Sequence, residues 1–119
     1  MSPRTQLDPR TLTPLSPTTL YILLALAEGD RHGYSIIKEV EASTAGTVRL
    51  FPGTLYRLIK QMVIDGWIVE EERNDPADDQ RRRYYRLTKW GRAIAQAESQ
   101  RLLDIVRLAQ ARNLLPATS

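Results

Sequence analysis

The chain has 119 residues, no cysteine and a single histidine, His32. Those counts exclude disulfides, thiol catalysis, iron–sulfur clusters, Cys-based zinc sites and any centre built from several histidines of one chain. With 42 % hydrophobic and 26 % charged residues the composition is that of one globular domain, and the net charge of +3 is modestly basic.

Residues 1–15 carry Pro3, Pro9 and Pro14 with little periodicity and read as an N-terminal arm, loosely ordered unless it docks. The opening MSPRTQLDPR has no apolar core, so no signal peptide is expected. Ser16 as N-cap and Pro17 at the first helical position open a first helix. Leu20, Leu23, Leu24 and Ala27 follow at helical spacing, and Gly29 supplies the stop. The apolar run Leu20 to Ala27 is far short of the roughly 20 residues that span a bilayer, so a cytoplasmic chain without a membrane partner is expected. A second helix is predicted from about Gly33 to Ser43, with Ile36, Ile37 and Val40 as its apolar stripe. A third starts at Pro52, turns Leu55, Leu58, Ile59 and Met62 to the core, and closes at Gly66.

A β-hairpin comes next. Trp67-Ile68-Val69 begins one strand, Asn74, Asp75, Pro76 and Asp78 are turn formers, and Arg83 to Leu87 return. Thr88 then caps a long helix from Lys89 to about Leu115, and residues 116–119 form a tail. The fold class is therefore mainly α with a small β-hairpin. The order helix, helix, helix, hairpin, helix is that of a winged helix-turn-helix over residues 16–88, followed by a C-terminal helix over residues 89–115. The second half of that last helix is densely apolar. Leu102, Leu103, Ile105, Val106 and Leu108 make a stripe too wide for one small domain, which predicts one face on the chain's own domain and one on a second copy, hence a homodimer.

Charge is sharply segregated. From Asp65 to Asp79 the acids Asp65, Glu70, Glu71, Glu72, Asp75, Asp78 and Asp79 face a single base, Arg73. From Gln80 to Ala97 the bases Arg81, Arg82, Arg83, Arg86, Lys89 and Arg92 stand with no acid. One reading is a basic wing that lies along a polyanion in the minor groove or on its flanking phosphates; the other is that the two runs pair across the hairpin. On the third helix, Gly53 lets backbone approach DNA closely and Thr54 offers a donor. Tyr56, Arg57 and Lys60 fall opposite the core positions, with Arg57 suited to bidentate guanine contact and Lys60 to a phosphate. The bland alternative for these three is a solvated face. His32 has no nucleophile or carboxylate beside it in sequence and reads as a structural or phosphate-contacting residue at a helix start. No P-loop, dinucleotide fingerprint, acid–base dyad or metal-ligand cluster is present, so no enzyme and no cofactor are expected.

Several segments resemble the PadR family of bacterial transcriptional regulators: LLALAEGDRHGYSIIKEVE, VRLFPGTLYRLIKQM, DGWI and RRRYYRLTKWGR. The most specific pieces are His32-Gly33-Tyr34, Pro52-Gly53-Thr54-Leu55-Tyr56, and Arg83-Tyr84-Tyr85-Arg86-Leu87-Thr88 with Gly91. The single C-terminal helix is similar to that of the smaller subfamily. The resemblance implies a dimer that binds double-stranded DNA at a pseudo-palindromic operator, most often as a repressor. It implies that the helix carrying the PGTLY motif enters the major groove, that Tyr34 and Ser35 contact phosphates, and that Arg81, Arg82 and Arg83 belong to a basic wing. Some small members take flat aromatic drugs between aromatic side chains of the last helix. Past Trp90 this helix has none, so a small-molecule effector would be gripped by aliphatics, by Trp67 or Trp90, or by the arm. Phe51 replaces the polar residue, commonly Ser, that precedes the Pro-Gly-Thr turn, and the side-chain cap is lost with it. Val63 and Ile64 stand where charged residues are usual. The rival in another class is a winged-helix module that binds protein and no operator; the basic wing and polar helix face argue against it.

Overall fold

Three of the four α-helices begin at a residue whose side chain satisfies a free backbone N–H, and the fourth does not. The computed structural model describes residues 8–75 and 80–117. Its elements are a short 3-10 helix at Pro9–Leu12, α1 (Pro17–Ala27), β1 (Arg31–His32), α2 (Gly33–Ser43), α3 (Pro52–Ile64), β2 (Ile68–Asp75), β3 (Gln80–Leu87) and α4 (Lys89–Ala111). Ser16 Oγ accepts from the Thr19 N–H at 3.2 Å, His32 Nδ1 from Ser35 at 3.2 Å, and Thr88 Oγ1 from Gly91 at 3.0 Å. Phe51, at the head of α3, makes no such bond. The Thr88 hydroxyl also donates to the Gly66 carbonyl at 2.7 Å, so one side chain ties the end of α3 to the start of α4.

β1, β3 and β2 form an antiparallel sheet in that order. Ile68 stands opposite Leu87, Glu70 opposite Tyr85 and Glu72 opposite Arg83. β1 escapes sequence periodicity because it is two residues long; it pairs Arg31 with Tyr85 and His32 with Tyr84. Asn74 and Asp75, predicted as turn residues, extend β2 instead. The predicted turn residues Pro76 and Asp78 lie outside the described residues. Arg81, Arg82 and Arg83 are in β3 itself.

The core is built from Ile22, Leu23 and Leu26 of α1, Ile36 and Val40 of α2, Leu55, Ile59 and Met62 of α3, and Ile68, Tyr85 and Leu87 of the sheet. The expected α1 face is only partly right. Leu23 is buried, but Leu24 is exposed and Ile22 and Leu26 take its place. α1 is apolar all round, so its spacing alone does not choose a side. Gly66, at φ +78°, reverses the chain after α3. Gly91 is required by contact: a Cβ there would run into the Trp67 carbonyl. Gly33 is likewise covered, by the Tyr56 phenol.

α4 ends at Ala111, short of the predicted Leu115, because Asn113 turns left-handed at φ +64° and the Leu114 N–H returns to the Ala109 carbonyl at 2.9 Å. Gly91, Ala95 and Glu98 are buried on its domain face, and Leu102, Ile105 and Ala109 continue the same face at spacings of four and three. The domain is too short to cover that second half. Leu102, Ile105, Val106 and Leu108 are 37 %, 50 %, 38 % and 55 % exposed. Leu102 and Ile105 continue the stripe that the domain covers over its first half, while Leu103, Val106 and Leu108, exposed as well, lie off it to either side. Among the described residues no helix is long and apolar enough to cross a membrane.

The arm is docked from Asp8 onward. Its 3-10 helix packs on α4, and the Leu15 N–H donates to Glu98 Oε2 at 3.2 Å. Glu98 is buried and receives two bonds from Arg101, at 2.7 and 2.9 Å. The Arg101 guanidinium holds the Glu98 carboxyl below its ordinary value of 4.5; burial opposes this and the Leu15 N–H adds to it. The folded chain therefore favours the carboxylate, and this clamp stabilises it at neutral pH and loses that contribution as pH falls through the lowered value. Glu98→Gln should cost about 1–2 kcal/mol at pH 7 and flatten the loss of stability below pH 4.5. Urea melts across pH check this; an unaltered acid limb would refute it.

Candidate nucleic-acid interface

The predicted contact residues converge from three elements. A hollow of about 370 Å³ between the start of α2, α3 and the wing strand β3 is lined by His32, Gly33, Tyr34, Tyr56, Arg82, Arg83 and Tyr85. A second, of about 440 Å³, carries the surface on along α3 past Tyr56 and Lys60 to Ile64, with Glu70, Arg83 and Tyr85 on its wing side. Tyr34, Tyr56, Lys60, Arg82 and Arg83 are thus brought to one side of the molecule. Gly53 and Arg57 are exposed on α3, Thr54 is half-buried, and nothing stands within 4 Å of where a Gly53 Cβ would be. Tyr56 is 49 % exposed but not wholly turned outward, since its phenol closes over Gly33.

Ser35 is more engaged than its predicted phosphate role suggests. Its hydroxyl accepts from Arg31 Nη1 at 3.0 Å, and Arg31 also donates to the Ala25 carbonyl at 2.9 Å and to Glu39 at 3.4 Å. Two further bases were not predicted. Lys38 lies four residues after Tyr34 on α2 and holds its ammonium 5.5 Å from the tyrosine ring centroid, a spacing readable from sequence once the helix is placed. Arg49 is exposed in the loop before α3.

The wing shows the cross-hairpin pairing that was the alternative reading of the charge runs. Arg81 meets Glu72 at 3.9 Å, Arg83 meets Glu70 at 3.6 Å, and Arg86 meets Glu71 at 3.7 Å and Asp30 at 4.0 Å. These arginine side chains remain 69 %, 71 % and 56 % exposed. Such long, wet pairs contribute about 0–1 kcal/mol each, so a phosphate can compete for the guanidinium. Arg73 is held more firmly. It bonds Asp30 at 2.6 Å and Glu71 at 3.0 Å and lies over the Tyr84 ring at 4.8 Å. Its pKa is raised, first by Glu71 and then by Asp30. His32 makes an edge contact with the same Tyr84 ring, centroids 5.5 Å apart. Burial, and then Glu70, push the Tyr85 phenol up to about 12, so it stays protonated in the wall between helix and wing. Among the described residues no group of three or more His, Asp or Glu could hold a metal ion.

Helices α2 and α3 with the β2–β3 hairpin beside them define a winged helix-turn-helix, followed by a long α4. Residues 22–97 match the Transcriptional regulator PadR-like family, and the chain belongs to that family. Its membership makes it a transcriptional regulator, not an enzyme. It is 36 % identical over 76 residues to an uncharacterised protein of Lysinibacillus sphaericus, covering 60 % of this chain and 65 % of that protein. The transcriptional regulator Rv3488 of Mycobacterium tuberculosis is 35 % identical over 88 residues, 74 % of this chain and 78 % of that one. The fold is similar to that of a PadR family regulator of Clostridium difficile, with a TM-score of 0.69 and 25 % identity over 81 % of this chain and 97 % of that one. It is also similar to Bacillus subtilis PadR, solved in complex with operator DNA, with a TM-score of 0.60 and 20 % identity over 73 % of this chain and 47 % of that one.

Proposed function

We propose that this chain is a cytoplasmic, DNA-binding repressor that acts as a homodimer on a pseudo-palindromic operator. The observation that carries the reading is the convergence of Tyr34, Tyr56, Lys60, Arg82 and Arg83 beside α3. In this reading the first turns of α3 enter the major groove, with Arg57 on a base edge and Gly53 and Thr54 close to the backbone. Tyr34, Ser35 and Lys60 hold phosphates, and the wing arginines Arg81, Arg82 and Arg83 follow the adjoining backbone. Two α4 overhangs, meeting through Leu102, Leu103, Ile105, Val106 and Leu108, set the distance between the two reading helices. A releasing ligand would enter the hollow of about 380 Å³ between α1 and α4, lined by Leu24, Ala27, Ala95 and Leu103 among others, which a second copy would roof. The operator complex of Bacillus subtilis PadR supports a nucleic-acid partner for this fold.

The test is selection of duplexes from a random library by the full chain, then titration of a selected and a random duplex across salt. Log affinity should fall linearly with log salt, by roughly 0.9 per phosphate neutralised. Arg81→Ala with Arg83→Ala should flatten that slope and weaken both duplexes alike. An unchanged slope would mean that these arginines serve only Glu70 and Glu72, and an unselective library would overturn operator binding.

A further inference from the structure

We propose that Phe51 reads the C5-methyl group of thymine, an inference that rests on the operator reading above. Phe51 occupies the N-cap of α3 in extended geometry, φ −87° and ψ 148°, where Ser, Thr, Asp or Asn would satisfy a free N–H of the first turn. It provides no cap and leaves its ring 64 % exposed. The chain therefore forgoes a stabilising bond and holds a large apolar group largely in water. Its backbone is well anchored. Leu50 before it is buried, Pro52 after it fixes the first helical φ, and its carbonyl accepts from the Leu55 N–H at 2.9 Å. The ring is thus presented at a set place on the end of α3 that would lead into the groove, next to the open space around Gly53.

The chemistry of the major groove selects the ligand. Phosphates, base nitrogens and carbonyl oxygens gain nothing from a phenyl ring. The thymine methyl is the one apolar group that a standard base shows there, and phenylalanine is among the side chains that fit it. The exposed tyrosines of α2 and α3 are different. Tyr34 is overlaid by Lys38 and Tyr56 closes over Gly33, and both carry a hydroxyl suited to a phosphate. Phe51 has no polar handle, so its contribution to an otherwise polar surface is discrimination between thymine and the remaining bases.

The experiment uses the full chain and its selected duplex, with each thymine replaced in turn by deoxyuridine, which removes only the methyl. One thymine per half-site should prove sensitive, its replacement weakening binding about fourfold, or about 15-fold when both half-sites are changed. Phe51→Ala should bind thymine and uracil duplexes equally, keep its affinity for random DNA and keep its melting temperature. Phe51→Leu should retain part of the preference. Phe51→Ser should lose it while melting higher, because the cap returns. A Phe51→Ala protein that still distinguishes uracil, or a wild-type protein indifferent to it at every position of a selected duplex, overturns the assignment and leaves operator binding standing. A library that yields no preferred sequence overturns operator binding, and this inference with it.

Discussion

Leu102→Glu combined with Ile105→Glu is expected to convert the protein from dimer to monomer with its domain intact. Both residues lie on the face of α4 that packs on the domain as far as Glu98 and then runs on without cover. Water reaches 37 % of Leu102 and 50 % of Ile105, so a buried contact remains to be made. At roughly 25 cal/mol per Å², covering the rest of each aliphatic side chain contributes about 1 kcal/mol, and symmetry doubles every contact. Two carboxylates per copy would place like charges, unpaired, in the middle of that seam, and breaking up a buried interface in this way costs several kcal/mol. The domain should survive, since neither side chain belongs to its core and substitutions outside a core usually change stability by no more than about 0.5 kcal/mol. Sedimentation equilibrium reads the mass, and circular dichroism checks the helix content. Truncation after Gln100 should give the same monomer, or insoluble protein. Operator binding should fall about 100-fold or more, because the second half-site is no longer delivered by tethering. A double variant that still sediments as a dimer would move the interface away from this stripe.

Arg57→Ala is expected to abolish most of the preference for operator over random DNA while leaving the melting temperature alone. Arg57 is exposed on α3 between Leu55, which is buried, and Leu58, which is partly buried, so its side chain leaves the helix on the outer side. A bidentate contact to guanine is worth about 1–3 kcal/mol of discrimination, and a dimer would lose it twice. Removing an exposed side chain should change folding stability by no more than about 0.5 kcal/mol. A phosphate role leaves a different signature, with both duplexes weakened together and the salt slope reduced by about one per site. The ratio of operator to random affinity at fixed salt decides between them. If that ratio survives, base reading passes to Thr54, Tyr56 or Lys60, with Phe51 beside them.

Much of the scaffold under this interface was legible from local chemistry. Ser16 and Thr88 are cap residues whose bonds form within three residues, so they act wherever the chain goes. The spacing of Leu55, Ile59 and Met62 picks out one side of α3 because the opposite side is polar. Arg81, Arg83 and Tyr85 alternate along β3 and so share one face of the sheet, with Tyr85 buried at the base and the two arginines exposed toward the tip. The lost cap at Phe51 was readable for the same reason: a phenyl ring cannot accept a hydrogen bond from the first turn.

Other features depended on contacts between residues far apart in the chain. α1 is apolar on every side, and only the packing of α2, α3 and α4 around it decides that Ile22 and Leu26 are buried while Leu24 is left open. Glu98 is buried on α4, where it accepts a bond from the Leu15 N–H, 83 residues away in the chain. The two residues of β1 become a strand only once β3 offers its edge. Whether the arginines of the wing are free or paired was undecided by the charge runs, and the register that sets Glu72 opposite Arg83 places acids within reach of Arg81 and Arg83. Sequence by itself determined the elements whose signals are short-range: caps, helix stops, one-sided apolar stripes and strand alternation. Tertiary structure decided which apolar face is covered and which charge finds a partner, because burial and ion pairing depend on what arrives from elsewhere in the chain.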